Sequence, residues 1–266
     1  MSKTHSDADD KVLLRHNARD IAWLTLNRPK AYNALSSDLM SELISSLNSI
    51  ANERDTKVVV IKGAGKGFCA GHDLQEMKVN NNETFLENFF AQLCVLMQAI
   101  VNLPQPVIAQ VHGTAAAAGC QLVASCDLAF ADDNATFATP GVNIGLFCST
   151  PMVAVSRKIN RKKMMEMLLL GDKIDSRTAV EHGLINRSVP GKLLNEAVSE
   201  VANKIASKSP LTLKIGKEAF YKQLEMPLSE AYEYTSKVMI QNMQARDAEE
   251  GINAFIEKRL PVWIGK

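Results

Sequence analysis

Hydrophobic and polar positions follow two different patterns along this chain. In the first two thirds, short apolar runs alternate with segments in which apolar residues recur every three or four positions. The apolar runs predict buried strands at 21–26, 58–61, 107–111 and 127–131. The longer segments predict helices at 37–52, 84–101 and 118–126. This alternation is typical of an α/β domain.

After about residue 149 the pattern changes and predicts helices only. They fall at 164–170, 176–182, 193–208, 211–224, 228–243 and 247–258. We therefore predict three regions: a disordered N-terminal tail (1–11), an α/β core (12–200) and a helical C-terminal region (201–266). Because the apolar faces of the last helices need a partner, self-association is expected.

Composition and charge narrow the range of partners. The 266 residues include 30 basic and 29 acidic side chains, which gives a formal net charge of +1. No general field therefore attracts the protein to nucleic acid or to an anionic membrane. We find no apolar run that approaches the ~18 residues needed to span a bilayer. Neither a nucleic-acid partner nor a membrane partner is expected.

The N-terminal residues and the cysteines indicate in which cellular compartment the protein is expected. Residues 1–10 are polar and acidic, unlike a signal peptide or an Arg-rich transit peptide. This predicts a cytoplasmic protein, or a mitochondrial-matrix protein if a leader has been removed. The five cysteines are odd in number and lie in apolar contexts, so we expect reduced core thiols. Their spacing does not suggest zinc, and no metal site is predicted.

Two strand-to-helix turns carry the strongest chemical signal. The first, at 68–74, follows the predicted strand at 58–61. The second, at 114–122, follows the strand at 107–111 and consists of tiny residues before a helix. Small side chains let a ligand approach the backbone, and the first N–H groups of a helix have no internal partner. Each turn alone is most often a packing device, but the two together could hold one negatively charged oxygen.

Five ordered motifs make the chain similar to one known family. They are Asn27-Arg-Pro-Lys-Ala-Tyr-Asn-Ala-Leu35, the 68–74 turn, the run 119–127, Phe137-Ala-Thr-Pro140 and Phe255-Ile-Glu-Lys-Arg-Leu-Pro261. From about residue 12 to the C-terminus the sequence resembles the enoyl-CoA hydratase/isomerase (crotonase) family. Within it, the sequence looks most similar to the mitochondrial enoyl-CoA hydratase domain-containing group numbered three and its bacterial relatives. The resemblance implies the crotonase (ClpP-like) spiral of ββα turns, with a C-terminal helical trimerisation region and trimers that often pair into hexamers.

The resemblance also implies a ligand and its binding site. The ligand is an acyl-CoA thioester, and since coenzyme A is part of the substrate, no separate cofactor is expected. The backbone N–H groups of His72 and Ala118 match the family positions that bind the thioester carbonyl and stabilise an enolate. Most relatives have glycine at the second position, so the methyl group of Ala118 is expected to tighten this oxyanion hole.

The acid groups of the family are not matched. Hydration needs one group to activate water and another to protonate the α-carbon, and relatives use two glutamates. These positions fall on Gln121 and Gly141, and a carboxylate position of some isomerases falls on Ser149. We therefore expect an enoyl-CoA hydratase/isomerase-like enzyme that hydrates poorly or not at all. The alternatives are a non-catalytic acyl-CoA-binding or regulatory subunit, or another acyl-CoA activity such as thioesterase or decarboxylase.

Several side chains have more than one possible role. Family positions that contact substrate are matched by Lys30, Tyr32, Ala70, His72, Asp73, Leu74, Ala118, Pro140, Gly141 and Lys258. The His72 side chain could carry a proton, or be buried and bonded to Asp73, which is expected to cap a helix. Gln121 could orient a ligand or bond the backbone. Cys148 is expected to be an inert thiol rather than a nucleophile. Lys258 could meet CoA phosphates, in its own or in a neighbouring subunit, or be solvated.

Overall fold

A computed structural model describes residues 11–266, and its centre is a six-stranded sheet. The strands of this main sheet lie in the order β1 (Leu13–Ala18), β2 (Ile21–Leu26), β3 (Val58–Gly63), β4 (Val107–Val111), β6 (Leu128–Asp132) and β9 (Arg187–Val189). β1 pairs antiparallel with β2, and every later pairing is parallel. A second sheet contains β5 (Thr114–Ala116), β7 (Thr136–Ala138) and β8 (Ile174–Asp175).

Eleven α-helices accompany the sheets within the described residues. They are α1 (Ser37–Ala51), α2 (Leu74–Val79), α3 (Glu83–Asn102), α4 (Ala118–Ser125), α5 (Ser149–Val155), α6 (Arg161–Leu170), α7 (Ser176–Glu181), α8 (Leu194–Ala206), α9 (Pro210–Gln223), α10 (Leu228–Met243) and α11 (Arg246–Glu257). The larger core lies on the face of the main sheet that α1, α3 and α4 cover. The opposite face packs against α8.

The chain passes from the main sheet to the second sheet and then into a helix, and it repeats this path. β4 leads to β5 and then to α4, after which β6 leads to β7. The segment after β3 follows the same route, because Cys69 forms a parallel bridge with Ala115 of β5 before α2 begins. The two turns singled out in the sequence therefore occupy equivalent places in successive repeats, which brings them side by side.

The predicted regular elements are largely confirmed, and most of the missed strands are very short. β1, β5, β7 and α5 were not predicted, and β8 and β9 lie in the region for which only helices were expected. The strands of the second sheet have two or three residues each, too short for an alternating pattern to show. The 310 turn Pro140–Ile144 is equally short.

The division into three regions stays a prediction, and its second boundary meets a continuous helix. A division between 200 and 201 falls inside α8, whose Ala202 and Ala206 pack on the same sheet face as Val198. α8 therefore packs on the main sheet along its whole length, and the next helix begins at Pro210. The predicted disordered tail lies outside the described residues except for Lys11, whose carbonyl accepts a hydrogen bond from Asn27 at 2.8 Å.

Two carboxylates, of half-buried Asp127 and buried Asp247, attach the C-terminal region to the core and to itself. Asp127 accepts hydrogen bonds from Lys217 Nζ at 2.7 Å and from the Tyr221 hydroxyl at 2.9 Å, which joins α9 to the end of α4. Asp247 accepts bonds from Ser209 Oγ and from the amide of Ile264, which holds the last residues against α9. Apolar side chains on α10 and α11 stay exposed in the single chain, and self-association stays a prediction.

One helix corrects the expectation about apolar runs. α3 is long and apolar enough, by length and composition, to cross a membrane. Its Phe89, Leu93, Leu96 and Ile100 recur at helical spacing and are buried in the main core, against α1. This amphipathic packing is that of a core helix.

The burial of the cysteines corrects the expectation that all five are core thiols. Cys69, Cys120, Cys126 and Cys148 are buried free thiols, whereas Cys94 on α3 is exposed. Within residues 11–266, no cluster of three His, Cys, Asp or Glu side chains is placed to hold a metal ion.

Candidate functional site

The first corner, defined here as residues 68–74, is fixed by charged and polar side chains. Asp73 caps α2, since its Oδ1 accepts hydrogen bonds from the amides of Gln75 and Glu76 at 3.1 Å. Its other oxygen accepts a bond from Arg28 Nη2 at 2.7 Å. Burial alone would raise the pKa of Asp73, but the Arg28 guanidinium and the capped amides lower it below its ordinary value. The expected capping role is confirmed.

Asn33 ties the loop before this corner to the segment that carries Arg28. Its side-chain amide is fully buried and donates to the carbonyls of Ala64, Gly67 and Phe68 at 2.8 to 3.1 Å. Its oxygen accepts a hydrogen bond from the amide of Arg28 at 2.9 Å. Asn33 itself has a left-handed backbone with φ of 56°, which asparagine tolerates better than most residues.

The second corner, defined here as residues 115–121, is fixed by close packing. No side chain caps α4, and all of its residues are buried. Ala117, just before the helix, has φ of 47° and ψ of −117°, a region that favours glycine. A Cβ atom at Gly119 would lie 2.1 Å from the carbonyl oxygen of Cys69, so this position leaves no room for a side chain. Small residues are therefore required here by the approach of the first corner.

The backbones of the two corners touch. Cys69 donates to Thr114 at 3.1 Å and accepts from Ala116 at 2.9 Å. A Cβ atom at Gly71 would lie 3.4 Å from the amide nitrogen of Ala118. The adjacent amide of His72 and the amide of Ala118, the first of α4, have no hydrogen-bond acceptor within residues 11–266. Two unpaired N–H groups thus stand at neighbouring positions.

The three expected acid positions hold no ionisable side chain. Gln121 is 4% exposed, and its Oε1 has no hydrogen-bond partner in the described chain, so this oxygen does not make the backbone hydrogen bond that was one of the two roles suggested for the side chain. Ser149 is exposed at the start of α5, where its hydroxyl lies 3.4 Å from the carbonyl of Phe147. Neither group exchanges protons near neutral pH.

At Gly141 the surrounding chain leaves no space for a side chain. A Cβ atom there would lie 2.9 Å from the carbonyl oxygen of Leu146 and 3.0 Å from Cys148 Sγ. The segment 142–148 therefore folds over the place where a side chain would begin. Cys148 Sγ accepts a hydrogen bond from the amide of Gly141 at 3.3 Å, while burial raises the pKa of the thiol. A protonated, buried thiol agrees with the expected inert role.

The imidazole of His72 lies among aromatic rings. Its centroid is 5.9 Å from that of Phe89 and 5.4 Å from that of Phe90, both in edge-to-face geometry. Burial lowers its pKa to about 4, and Nε2 has no partner within the described residues. The suggested hydrogen bond to Asp73 is wrong, because that carboxylate is turned to Arg28 and the α2 amides. A neutral ring with this pKa is a poor proton carrier at neutral pH.

The remaining expected contact residues separate into two groups. Tyr32 and Lys30 are exposed beside the first corner, where the Tyr32 carbonyl accepts the amide of Ala70 at 3.0 Å. Leu74 begins α2 at the end of the first corner, and Pro140 begins the 310 turn that follows β7. Lys258 lies elsewhere, at the exposed C-terminal end of α11, which packs mainly on α9 and α10. Their contact with a ligand stays a prediction.

Sequence reasoning missed three residues that shape the site: Arg28, Asn33 and Thr139. The first two stand within the 27–35 motif, whose fixed order of polar residues was a usable signal. Thr139 is fully buried, and its hydroxyl has no partner in the described residues. Thr139 stands within the 137–140 motif, but nothing in that motif indicates that its hydroxyl is buried and without a partner.

The two strand-to-helix turns carry adjacent unpaired amides, and both lie in a repeated strand–strand–helix path. Comparison with known proteins identifies the class of protein that has this fold and this site. The family model described as enoyl-CoA hydratase/isomerase matches residues 16–266. The human mitochondrial enoyl-CoA hydratase domain-containing protein 3 is 47% identical over 240 residues, covering 90% of this chain and 79% of that protein.

Solved structures agree with this match. A crystal structure of enoyl-CoA hydratase from Mycobacterium smegmatis has a TM-score of 0.93 and 44% identity, covering 96% of this chain and 99% of the other. The crystal structure of human enoyl-CoA hydratase domain-containing protein 3 has the same TM-score and identity, with coverage of 95% and 100%. This chain belongs to the enoyl-CoA hydratase/isomerase family. The crotonase fold and the resemblance to the domain-containing group are confirmed.

Proposed function

We propose that this protein binds an acyl-CoA thioester and hydrates enoyl thioesters slowly or not at all. The thioester carbonyl accepts hydrogen bonds from the amides of His72 and Ala118. The observation that supports this most directly is the contact between the two corners, which leaves these amides adjacent and without acceptors. Each backbone donor of this kind typically contributes roughly 3 kcal/mol to a transition state that carries charge on the oxygen.

The low hydratase activity follows from the absence of proton-transfer groups at the described corners. Gln121 and Ser149 do not ionise near neutrality, and Gly141 has neither a side chain nor room for one. His72 is neutral because burial lowers its pKa to about 4. Losing one acid or base costs ~10²–10⁴ in rate, and paired losses do not simply multiply.

The rest of the proposal concerns the ligand and the assembly. Coenzyme A is part of the ligand, so no separate cofactor is needed, and the exposed side chains of Lys30 and Tyr32 line the cleft that binds it. Lys258 contributes from another copy in a trimer or a dimer of trimers, which would also cover the exposed apolar faces of α10 and α11. Of the two expected compartments, the mitochondrial matrix is favoured over the cytoplasm, since several relatives are named as mitochondrial.

A second candidate function is acyl-CoA binding without turnover, in a regulatory subunit. The same missing acids favour it, because an intact binding corner without proton transfer retains affinity and loses chemistry. Thioester hydrolysis and decarboxylation remain the other acyl-CoA activities to test. A decarboxylation needs stabilisation of the enolate but no base to create it, so the backbone amides alone assist it.

The decisive measurement is the turnover of crotonyl-CoA by the wild-type protein, Gln121→Glu and Gln121→Met. We expect a wild-type rate at least 10²-fold below that of a hydratase with both glutamates. Restoring one carboxylate should raise the rate by about 10², and the similarly sized methionine should give no gain. A wild-type rate within tenfold of the normal hydratase would contradict the proposal.

Binding must be measured separately by calorimetry with butyryl-CoA, which cannot be hydrated. Saturable binding with no turnover of any thioester favours the regulatory candidate, and turnover of a carboxylated thioester favours decarboxylation. Restoring the second glutamate at residue 141 is not a suitable test, because a Cβ atom there would meet Leu146 and Cys148.

A further inference from the structure

The direction of the His72 amide is set by the pairing of this residue with Leu35. The two residues form an isolated parallel bridge. The Leu35 amide donates to the Gly71 carbonyl at 2.7 Å, and the Asp73 amide donates to the Leu35 carbonyl at 3.0 Å. Because successive N–H groups of an extended chain point to opposite sides, the N–H of His72 points away from Leu35.

The side away from Leu35 is the side of the second corner. The first corner lies between the 27–35 motif and the second corner, since the amide of Cys69 donates to Thr114 just before the latter. The pairing with Leu35 therefore leaves the His72 amide directed toward the second corner. A rotation of the chain at this pair would turn the donor away, and hydrogen bonds weaken steeply as they lose alignment.

The Arg28 guanidinium spans this pair of residues. Its Nη1 donates to the carbonyl of Ala34 at 2.5 Å, and its Nη2 donates to Oδ2 of Asp73 at 2.7 Å. Ala34 directly precedes Leu35, and Asp73 directly follows His72. One rigid, planar group therefore joins both chains of the bridge beside the residue whose amide is free.

Arg28 is itself held in place. Its amide donates to Asn33 Oδ1 at 2.9 Å, and its carbonyl accepts from the amide of Asn33 at 2.9 Å. The side chains of Arg28 and Asp73 are only 23% and 13% exposed, so their charge-assisted bond is less weakened by water than a surface pair. Among the described residues, no other basic side chain forms an ion pair with Asp73.

We propose that Arg28 is a positioning residue of the oxyanion hole, which acts through Asp73 and the Ala34 carbonyl to keep the His72 amide aligned with the thioester oxygen. This inference rests on the proposed acyl-CoA binding. Without Arg28, the His72 donor loses its alignment. The Ala118 donor keeps its own, because close packing rather than a side chain fixes the second corner.

A pair of ligands that differ only at the carbonyl tests this role. Butyryl-CoA has the carbonyl, and S-butyl-CoA is the thioether with a methylene group in its place. We expect the wild-type protein to bind butyryl-CoA at least tenfold more tightly in calorimetry. Arg28→Met should reduce this ratio to about threefold, since one of two donors is lost. An unchanged ratio would overturn the inference.

A milder variant keeps the test valid if Arg28→Met does not fold. Arg28→Lys retains the charge but lacks the planar fork that reaches both acceptors at once, so its ratio should lie between those of Arg28→Met and the wild-type protein. A ratio equal to that of the wild-type protein would show that the two-armed contact does not position the amide, and would contradict the inference.

Arg15→Met is the matched control. Arg15 also forms a two-armed ion pair, with Glu53, and its side chain is 26% exposed, but this pair joins β1 to the end of α1. Its loss should lower the Tm by an amount similar to Arg28→Met and leave the ligand ratio unchanged. If both variants changed the ratio equally, loss of stability rather than positioning would be the cause, and the inference would fail.

The carbonyl stretching frequency of bound butyryl-CoA, labelled with ¹³C at the carbonyl, gives a reading that stability does not affect. Hydrogen bonds from both amides should lower this infrared frequency relative to the ligand in water. The lowering should be smaller in Arg28→Met and Arg28→Lys and complete in Arg15→Met. A complete lowering in both Arg28 variants would assign Arg28 a structural role only.

The two proposals fail in different ways. If the wild-type protein does not bind butyryl-CoA, or binds it no more tightly than S-butyl-CoA, the proposed function fails and the positioning role with it. If the wild-type protein prefers butyryl-CoA and the Arg28 variants keep the full preference, acyl-CoA binding stands and only the role of Arg28 is refuted.

Discussion

The two corners present the same feature, an unpaired amide at a strand-to-helix turn, by different physical means. The first corner uses hydrogen bonds and charge: Arg28 holds Asp73, Asp73 caps α2, and Asn33 binds three carbonyls of the preceding loop. The second corner has no side-chain cap and depends on tiny residues packed against the first.

This difference has consequences for tolerance to change. A corner held by side-chain hydrogen bonds loses them one at a time, and a substitution that keeps the donor or acceptor keeps much of the stability. A corner held by close backbone packing tolerates substitution poorly, because an added carbon atom meets backbone atoms rather than a flexible side chain that can move. Electrostatic effects should therefore concentrate at the first corner and steric effects at the second.

The largest effect is expected for Gly119→Ala at the second corner. The new Cβ would lie 2.1 Å from the Cys69 carbonyl oxygen, so the contact between the corners must open. We expect a loss of roughly 3 kcal/mol or more in the free energy of unfolding, together with loss of butyryl-CoA binding. Urea denaturation and calorimetry measure the two quantities.

Gly216→Ala in α9 is the matched control, because a Cβ atom there meets nothing within 4 Å. Alanine is a better helix former than glycine, so this change should stabilise the protein by about 0.5–1 kcal/mol. If Gly119→Ala proved as harmless as the control, the close approach of the two corners would be refuted.

The sequence revealed the corners because their composition has local causes. Glycine and alanine before α4, and Asp73 before α2, indicate turns and helix starts without reference to the rest of the chain. The pairing of the corners depends on β5 and β7, which have three residues each and no strand pattern. Only the family resemblance placed His72 beside Ala118.

The acid positions show where sequence reasoning ends. The absence of carboxylates at Gln121 and Gly141 was visible in the sequence. The lack of space at Gly141 was not, since it depends on the path of residues 142–148. The unpaired state of Thr139 likewise depends on every group packed around it.

An intermediate effect is expected when the charged clamp of the first corner is removed. Asp73→Ala loses the α2 cap and the Arg28 pair and should cost about 2 kcal/mol. Asp73→Asn can still cap the helix and should cost about 1 kcal/mol. Equal losses in the two variants would show that capping contributes little at this corner.

The same clamp predicts a pH dependence. The folded-state pKa of Asp73 lies below its ordinary value, so its stabilising contribution is present at neutral pH. It is lost as the pH falls below about 4 and through the folded-state pKa. The stability difference between the wild-type protein and Asp73→Asn should therefore shrink on acidification. A difference that stays constant from pH 7 to pH 3 would contradict the charge-based account.

The smallest effect on stability is expected for Ala117→Gly. Unlike the other substitutions at the two corners, this one should stabilise the protein. Its φ of 47° and ψ of −117° are costly for alanine but accessible to glycine. Ala117→Gly should therefore raise the free energy of unfolding by roughly 0.5–1 kcal/mol, after the entropic cost of glycine is subtracted. Ala118→Gly, one residue later and inside the helix, should lower it by about the same amount. The two changes remove the same methyl group from adjacent residues, so the difference between their free energies of unfolding, measured by urea denaturation, reports the backbone strain at Ala117. An equal loss of stability in both variants would show that Ala117 is unstrained.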